Sequence, residues 1–161
     1  MPLEIERKYL VKGSDWKTSN GKRYTQGYLN LDKERTVRIR IADRQAFLCV
    51  KGATKGATRK EFEYEIPARD AEELIKICDG SIIEKTRHHV LYKGLKWEID
   101  EFLGDNEGLV IAEVELDSED QVFEKPPWLG PEVTTDPRYF NSNLAVKPFC
   151  QWHYKPKKRD T

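Results

Sequence analysis

The sequence predicts a mainly β protein (α+β), an eight-stranded antiparallel closed β-barrel with a few flanking helices. Three observations carry this expectation. Apolar and polar residues alternate with period two through most of residues 3–116, the mark of strands with two unlike faces. The breaks between alternating segments hold turn-forming residues. Helical spacing interrupts the pattern only in short excursions, and closure is the arrangement that leaves so many successive strands without open edges.

The expected strands are 3–11, 23–31, 36–42, 46–52, 59–67, 82–92, 96–102 and 109–116. Asp32-Lys33-Glu34, Asp43-Arg44, residues 52–56, Lys93-Gly94 and residues 104–108 supply the turns. Residues 69–78 place Leu74, Ile77 and Cys78 on one helical face and end at Gly80. Beyond Asp117, Ser118-Glu119-Asp120 is placed to cap a short helix through Phe123, stopped by Pro126-Pro127. Trp128-Leu129-Gly130-Pro131 reads as a packed turn, and Asp136-Pro137 as the cap and first residue of a helix running to Val146. The expected organisation is one domain over 1–161: barrel 3–116, helical segment 118–150, and a basic, frayed tail 154–161.

Composition narrows the function classes. The chain has 161 residues, 38% hydrophobic and 35% charged, with 28 basic against 28 acidic side chains. Zero net charge argues against a nucleic-acid or membrane partner drawn by overall field. The N-terminus is charged from Glu4 onward, no stretch has the roughly 18 apolar residues of a membrane span, and Cys49, Cys78 and Cys150 form no CxxC pair. Reduced thiols, no zinc site and a cytoplasmic location are expected.

The charges are sorted by strand face. Glu4, Glu6 and Lys8 oppose Ile5, Arg7, Tyr9 and Val11. Arg38 and Arg40 oppose Val37, Ile39 and Ile41; Arg59, Glu61, Glu63 and Glu65 oppose Phe62, Tyr64 and Ile66. Glu98, Asp100 and Phe102 oppose Trp97 and Ile99, and Glu113 and Glu115 oppose Ala112, Val114 and Leu116. Lys51, Lys85 and Arg87 add cations at similar spacing. A half-buried sheet ordinarily shows a charged solvent face. Repeated like-charge pairs strain that reading, because like charges sharing one face repel.

Turned inward in a closed barrel, these faces oppose Glu4, Glu6, Glu61, Glu63, Asp100, Glu113 and Glu115 to Lys8, Arg38, Arg40, Lys51, Arg59, Lys85 and Arg87. Buried charge needs partners. A polyanion satisfies the cations, since guanidinium forks match phosphate oxygens. Mg²⁺ or Mn²⁺ satisfies carboxylates together with substrate phosphates. The chemistry this predicts is metal-assisted phosphoryl transfer to water.

Glu4-Ile5-Glu6-Arg7-Lys8, followed by Tyr9-Leu10-Val11, resembles the opening ExExK signature of the CYTH domain, the triphosphate tunnel metalloenzymes. The resemblance continues in order through Val37-Arg38-Ile39-Arg40, Val50-Lys51-Gly52, Arg59-Lys60-Glu61-Phe62-Glu63, Glu84-Lys85-Thr86-Arg87, Trp97-Glu98-Ile99-Asp100-Glu101-Phe102 and Ala112-Glu113-Val114-Glu115-Leu116. Trp128-Leu129-Gly130 and Thr134-Thr135-Asp136-Pro137-Arg138-Tyr139 extend it into the short bacterial branch, to about residue 146. The resemblance implies a tunnel that binds a triphosphate with Mg²⁺ or Mn²⁺. It implies metal ligands at Glu4, Glu6, Glu113 and Glu115, and phosphate contacts from Lys8, Arg38, Arg40, Lys51, Arg59, Lys85 and Arg87. Glu61 and Glu63 would help hold metal or orient the attacking water, with Lys8 and Arg40 completing the catalytic set, and Asp100 would orient neighbouring cations.

The branch most resembles inorganic triphosphatases, so the expected substrate is the small molecule tripolyphosphate. A class IV adenylyl cyclase, a thiamine triphosphatase and a non-catalytic polyphosphate- or nucleotide-binding module stay open beside it. Trp16, Tyr28 and Trp128 are the aromatics available to stack on thiamine. His88 and His89 adjoin the Lys85/Arg87 block and read as packing or surface, as does His153 near the tail. Trp152 and Tyr154 are placed to dock the tail, and the outward aromatic faces allow a homodimer.

Overall fold

The computed structural model describes residues 3–18 and 20–152. Eight strands form the barrel: β1 (Leu3–Val11), β2 (Lys22–Asn30), β3 (Arg35–Ala42), β4 (Gln45–Gly52), β5 (Thr58–Ile66), β6 (Asp79–Tyr92), β7 (Leu95–Phe102) and β8 (Val110–Glu115). A short β9 (Leu129–Glu132) is added outside them, and two helices are present, α1 (Ala68–Ile75) and α2 (Asn141–Val146). The sheet runs β5-β4-β3-β2-β6-β7-β8-β1-β9 and closes through β1–β5. All pairs are antiparallel. The expected barrel is present, with strand ends within a few residues of those predicted.

β1 is the seam. One edge pairs with β8 from Glu6 to Leu10, while the other pairs first with β5 (Leu3 to Ile5) and then with β9 (Tyr9 and Val11). Between the two partners, the Glu6 amide donates to the Ala57 carbonyl and the Lys8 amide to Thr134 Oγ1, each at 3.0 Å. The seam strand therefore has its backbone groups satisfied where it carries Glu4, Glu6 and Lys8.

Alternation sends one apolar face of the strands outward, where two clusters cover it, while a third cluster lies on the inner face. Tyr9, Trp97, Ile99, Ala112 and Val114 pack with Trp16, Trp128 and Leu129; Ile39 and Ala46 pack with Ala71 of α1. On the inner face, Ile83, Phe102 and Ile111, which are in register with Gln26, Lys85 and Asp100, pack with Leu144 and Ala145 of α2, Phe149 and Trp152. The usual order is largely inverted: two of the three apolar clusters lie between the barrel and its covering segments, and the charges lie inside. No helix among the described residues is long and apolar enough to cross a membrane.

Four local expectations are corrected. Residues 118–123 are not helical, because their capping groups are used elsewhere: the Glu119 carboxylate accepts from the Ala57 amide at 3.1 Å and the Thr58 hydroxyl at 3.0 Å. The expected turn at 128–131 is mostly strand β9, and Gly130 lets it approach, since a Cβ there would lie 2.9 Å from the Leu10 carbonyl oxygen. Asp136 does accept from the Arg138 amide at 3.1 Å, but it starts only a 3-10 turn (Pro137–Tyr139). Phe140 is extended and the α-helix begins at Asn141. Finally, α1 ends at Ile75, and Gly80, expected to end the helix, lies inside β6. Its φ is +72°, and a Cβ would lie 2.6 Å from the Ala145 carbonyl oxygen, so this glycine lets α2 sit against the strand. The expected tail 154–161, with His153 and Tyr154, lies outside the described residues.

Candidate active site

A cavity of about 240 Å³ occupies the barrel, and every one of the eight barrel strands except β7 contributes an expected side chain or a tyrosine to it. β1 supplies Glu4, Glu6 and Lys8; β3 supplies Arg38 and Arg40; β4 supplies Lys51. β5 supplies Arg59, Glu61 and Glu63; β6 supplies Lys85 and Arg87; β8 supplies Glu113 and Glu115. The period of two puts these residues on one face of each strand, and closure brings them together. Asp100, the remaining member of the expected set, is fully buried behind the wall. Its carboxylate lies 2.7 Å from Lys85 Nζ and accepts from Arg87 Nε at 2.7 Å and Nη2 at 2.9 Å.

The lining neutralises itself. Lys8 Nζ donates to Glu6 and to Glu113, both at 2.9 Å. Lys51 Nζ lies 3.2 Å from Glu4 and 3.2 Å from Glu61. Arg40 donates to Glu63 at 2.9 Å, and Arg87 also reaches Glu98 at 3.2 Å. Arg59 Nε lies 3.5 Å from Glu4. Most of these charges are therefore compensated by an opposite one.

The titration behaviour follows. Burial opposes the Lys8 charge, but Glu113 and Glu6 outweigh it and raise its pKa. Burial likewise opposes the charges of Asp100 and Arg87, and their mutual attraction wins, lowering the carboxyl and raising the guanidinium. For Lys85 the balance tips the other way: burial pushes it down to about 8, with Asp100 only partly opposing and Arg87 adding to the fall. Burial and neighbouring Arg38 lower Arg40. Despite burial, Lys51 holds the Glu61 carboxyl low. Glu115 is raised, by burial first and then by Glu4, Glu6, Glu61 and Glu98.

Sequence reasoning missed several side chains here. Glu98 lines the cavity, which makes the lining seven cations (Lys8, Arg38, Arg40, Lys51, Arg59, Lys85, Arg87) against seven carboxylates (Glu4, Glu6, Glu61, Glu63, Glu98, Glu113, Glu115). Its shared face with Asp100 was the available signal. β2 contributes neutral residues: Tyr28 lines the cavity, and Gln26 Nε2 donates to Asn141 Oδ1 at 3.0 Å. Asn141 opens α2 and its Oδ1 also accepts from Lys85 Nζ at 3.1 Å. Nothing in its local sequence marked it. Trp16 packs on His88 and Trp128 on Trp97, so neither stacks in the cavity. His88 lies on the outer side of β6, where Nδ1 accepts from the Thr18 amide at 3.2 Å, and His89 Nε2 lies 3.2 Å from Glu98.

Among the described residues, no three His, Cys, Asp or Glu side chains form a ready-made metal ligand set. Glu6 and Glu113 are instead paired with Lys8. The donor chemistry still suits a hard divalent cation. Glu6 and Glu115 are direct cross-strand partners, as are Glu98 and Glu113, and like charges so placed are destabilising. The raised carboxyl of Glu115 is the electrostatic sign of that surplus. An oxygen-only set completed by phosphates and waters fits Mg²⁺ or Mn²⁺.

The CYTH domain family model matches residues 2–146. An inorganic triphosphatase of Acetivibrio thermocellus is 49% identical over 151 residues, covering 92% of this chain and 97% of that protein. An inorganic triphosphatase of Nitrosomonas europaea is 37% identical over 147 residues, covering 89% and 97%. A crystal structure of an inorganic triphosphatase superposes with a TM-score of 0.66 at 36% identity, covering 88% of this chain and 97% of that one. A putative adenylate cyclase structure from Bacillus halodurans, at 16% identity and a TM-score of 0.53 over 74% and 84% of the two chains, shares the fold.

Proposed function

Because the chain belongs to the CYTH domain family, we propose that it is an inorganic triphosphatase, a divalent-metal-dependent hydrolase that removes a terminal phosphate from tripolyphosphate held in the barrel. The observation that carries this reading is the convergence of seven cations and seven carboxylates on one cavity of about 240 Å³. The relative at 49% identity supports it, since that protein is named an inorganic triphosphatase.

Lys8, Arg38, Arg40, Lys51, Arg59, Lys85 and Arg87 grip the phosphate oxygens. Their role is positional and electrostatic, which is most of what phosphoryl transfer asks of a protein. Asp100 and Asn141 fix two of them in advance: Asp100 forks onto Arg87 and also pairs with Lys85, which Asn141 holds from the other side. Glu4, Glu6, Glu113 and Glu115 would hold Mg²⁺ or Mn²⁺, which supplies charge neutralisation at the phosphates when bound. Glu61 and Glu63 accept hydrogen bonds from the attacking water and orient it. With its carboxyl held low beside Lys51, Glu61 orients the water as an anion and is a weak proton acceptor.

The test is phosphate release from tripolyphosphate, thiamine triphosphate, ATP and pyrophosphate with Mg²⁺ or Mn²⁺, with the ATP products separated by chromatography. Preferred release from tripolyphosphate supports the assignment. Cyclic AMP and pyrophosphate from ATP identify a cyclase, and tight triphosphate binding without turnover identifies a binding module.

A further inference from the structure

β2 gives the cavity no charge, yet it places a buried aromatic ring against two of its arginines. Tyr24 is 8% exposed and sits in register with Ala42 of β3 on one side and Lys85 of β6 on the other. Its ring is approached by Arg40, whose Cζ lies 5.2 Å from the ring centroid, and by Arg87, at 4.9 Å. Tyr24 joins none of the three apolar clusters. Its burial serves the charged interior.

The two arginines differ in what else holds them. Arg87 is clamped by Asp100 through Nε and Nη2. Arg40 has one carboxylate, Glu63, and its buried Nε has no partner among the described residues. It is also crowded by like charge, since Arg38 and Arg87 both disfavour its protonated form. What attracts the Arg40 guanidinium in this position, besides Glu63, is ring surface: Tyr24, and Phe47 at 5.7 Å. An aromatic face carries negative quadrupole density, so one ring can attract two cations that repel each other.

Building on the triphosphatase reading, we infer that Tyr24 is a positioning residue for the phosphate grip: its ring holds Arg40 beside Arg87 and sets where the pair meets the substrate. The ring and not the hydroxyl performs this task. Tyr24 does not line the cavity, so it acts through the arginines.

The test compares the wild type with Tyr24→Leu, Tyr24→Phe, and protein carrying pentafluorophenylalanine in place of Tyr24. KM and kcat for tripolyphosphate are measured for each, with tripolyphosphate affinity by calorimetry in the absence of metal. Tyr24→Leu raises KM and the dissociation constant about tenfold, the scale of a desolvated cation–π contact, with a smaller change in kcat. Tyr24→Phe recovers most of the loss. The fluorinated ring keeps the shape but reverses the charge of the face, so it behaves like Tyr24→Leu, and it keeps the test decisive if the leucine variant does not fold. A fluorinated protein that matches Tyr24→Phe overturns the inference, as does a folded Tyr24→Leu with unchanged KM and affinity. Those failures leave the triphosphatase reading standing; wild-type protein that neither binds nor hydrolyses tripolyphosphate removes both.

Discussion

The Lys8 ammonium lies 2.9 Å from Glu113 Oε2, directly across the β1–β8 pair, so a cation proposed to grip phosphate and a carboxylate proposed to hold metal neutralise each other. Lys51 and Glu4 repeat the relationship at 3.2 Å. A triphosphate arriving alone draws Lys8 away and leaves Glu6 and Glu113 uncompensated; a metal ion arriving alone does the reverse to Lys8. Leaving one partner of a buried pair alone costs several kcal/mol. The two ligands therefore bind with positive coupling. Mn²⁺ titrated calorimetrically into protein saturated with a methylene-bridged tripolyphosphate analogue binds about 5- to 150-fold more tightly than into protein alone, after subtraction of the analogue's own metal binding. Equal affinities contradict the exchange of partners.

Glu115 carries the clearest surplus of negative charge, raised by burial and by Glu4, Glu6 and Glu61. Glu115→Gln removes repulsion from the metal-free protein while removing a donor proposed for the metal. Its melting temperature without metal equals or exceeds that of the wild type, and turnover at ordinary metal concentration is abolished. Such a trade of stability for function is the mark of a site residue. Full activity in the variant contradicts the placement of the metal.

Lys85 gives the pH dependence. In the proposed grip its charge meets a phosphate, and in the free protein burial pushes it down to about 8. The groups facing it are Asp100 of β7, Arg87 of β6, Glu113 of β8 and Asn141 of α2. kcat/KM, which reports the free enzyme, falls as pH rises through about 8. Stability moves the other way for this group: between about 8 and its ordinary 10.5 the unfolded chain binds more protons than the folded one, so its contribution rises with pH. A flat kcat/KM from neutral to strongly alkaline pH contradicts the assignment, and a loss of activity that tracks unfolding is excluded by the melting curve.

The Gly80 contact predicts a long-range effect. An alanine there meets both a φ of +72° and the Ala145 carbonyl oxygen at 2.6 Å. Gly80→Ala costs more than about 1 kcal/mol, since the backbone strain alone is of that order, and urea denaturation measures it. Because α2 also carries Asn141 against Lys85, activity falls too. An unchanged denaturation midpoint contradicts the packing of α2 on β6.

The charged lining was legible because like charges repeat at i and i+2: Glu4 with Glu6, Arg38 with Arg40, Glu61 with Glu63 and Glu113 with Glu115. Asp100 was legible for the same reason, through its face. Tyr24 and Gln26 were not, because a neutral inward residue on an alternating strand looks like any core position. β9 escaped because four residues containing Gly130 and Pro131 carry turn chemistry, and its strand character comes from the edge that β1 offers beyond β5. The 118–123 segment reads as a capped helix locally, and the distant Ala57 amide, which accepts no such local description, draws the Glu119 carboxylate away.

The central claim is tested most directly by following tripolyphosphate by phosphorus NMR in the presence of purified protein and Mg²⁺ or Mn²⁺. The account predicts that tripolyphosphate disappears while orthophosphate and pyrophosphate appear in equal amounts, that pyrophosphate then persists, and that Glu4→Gln stops the reaction. Undiminished tripolyphosphate with either metal, or equally fast breakdown of pyrophosphate, contradicts it.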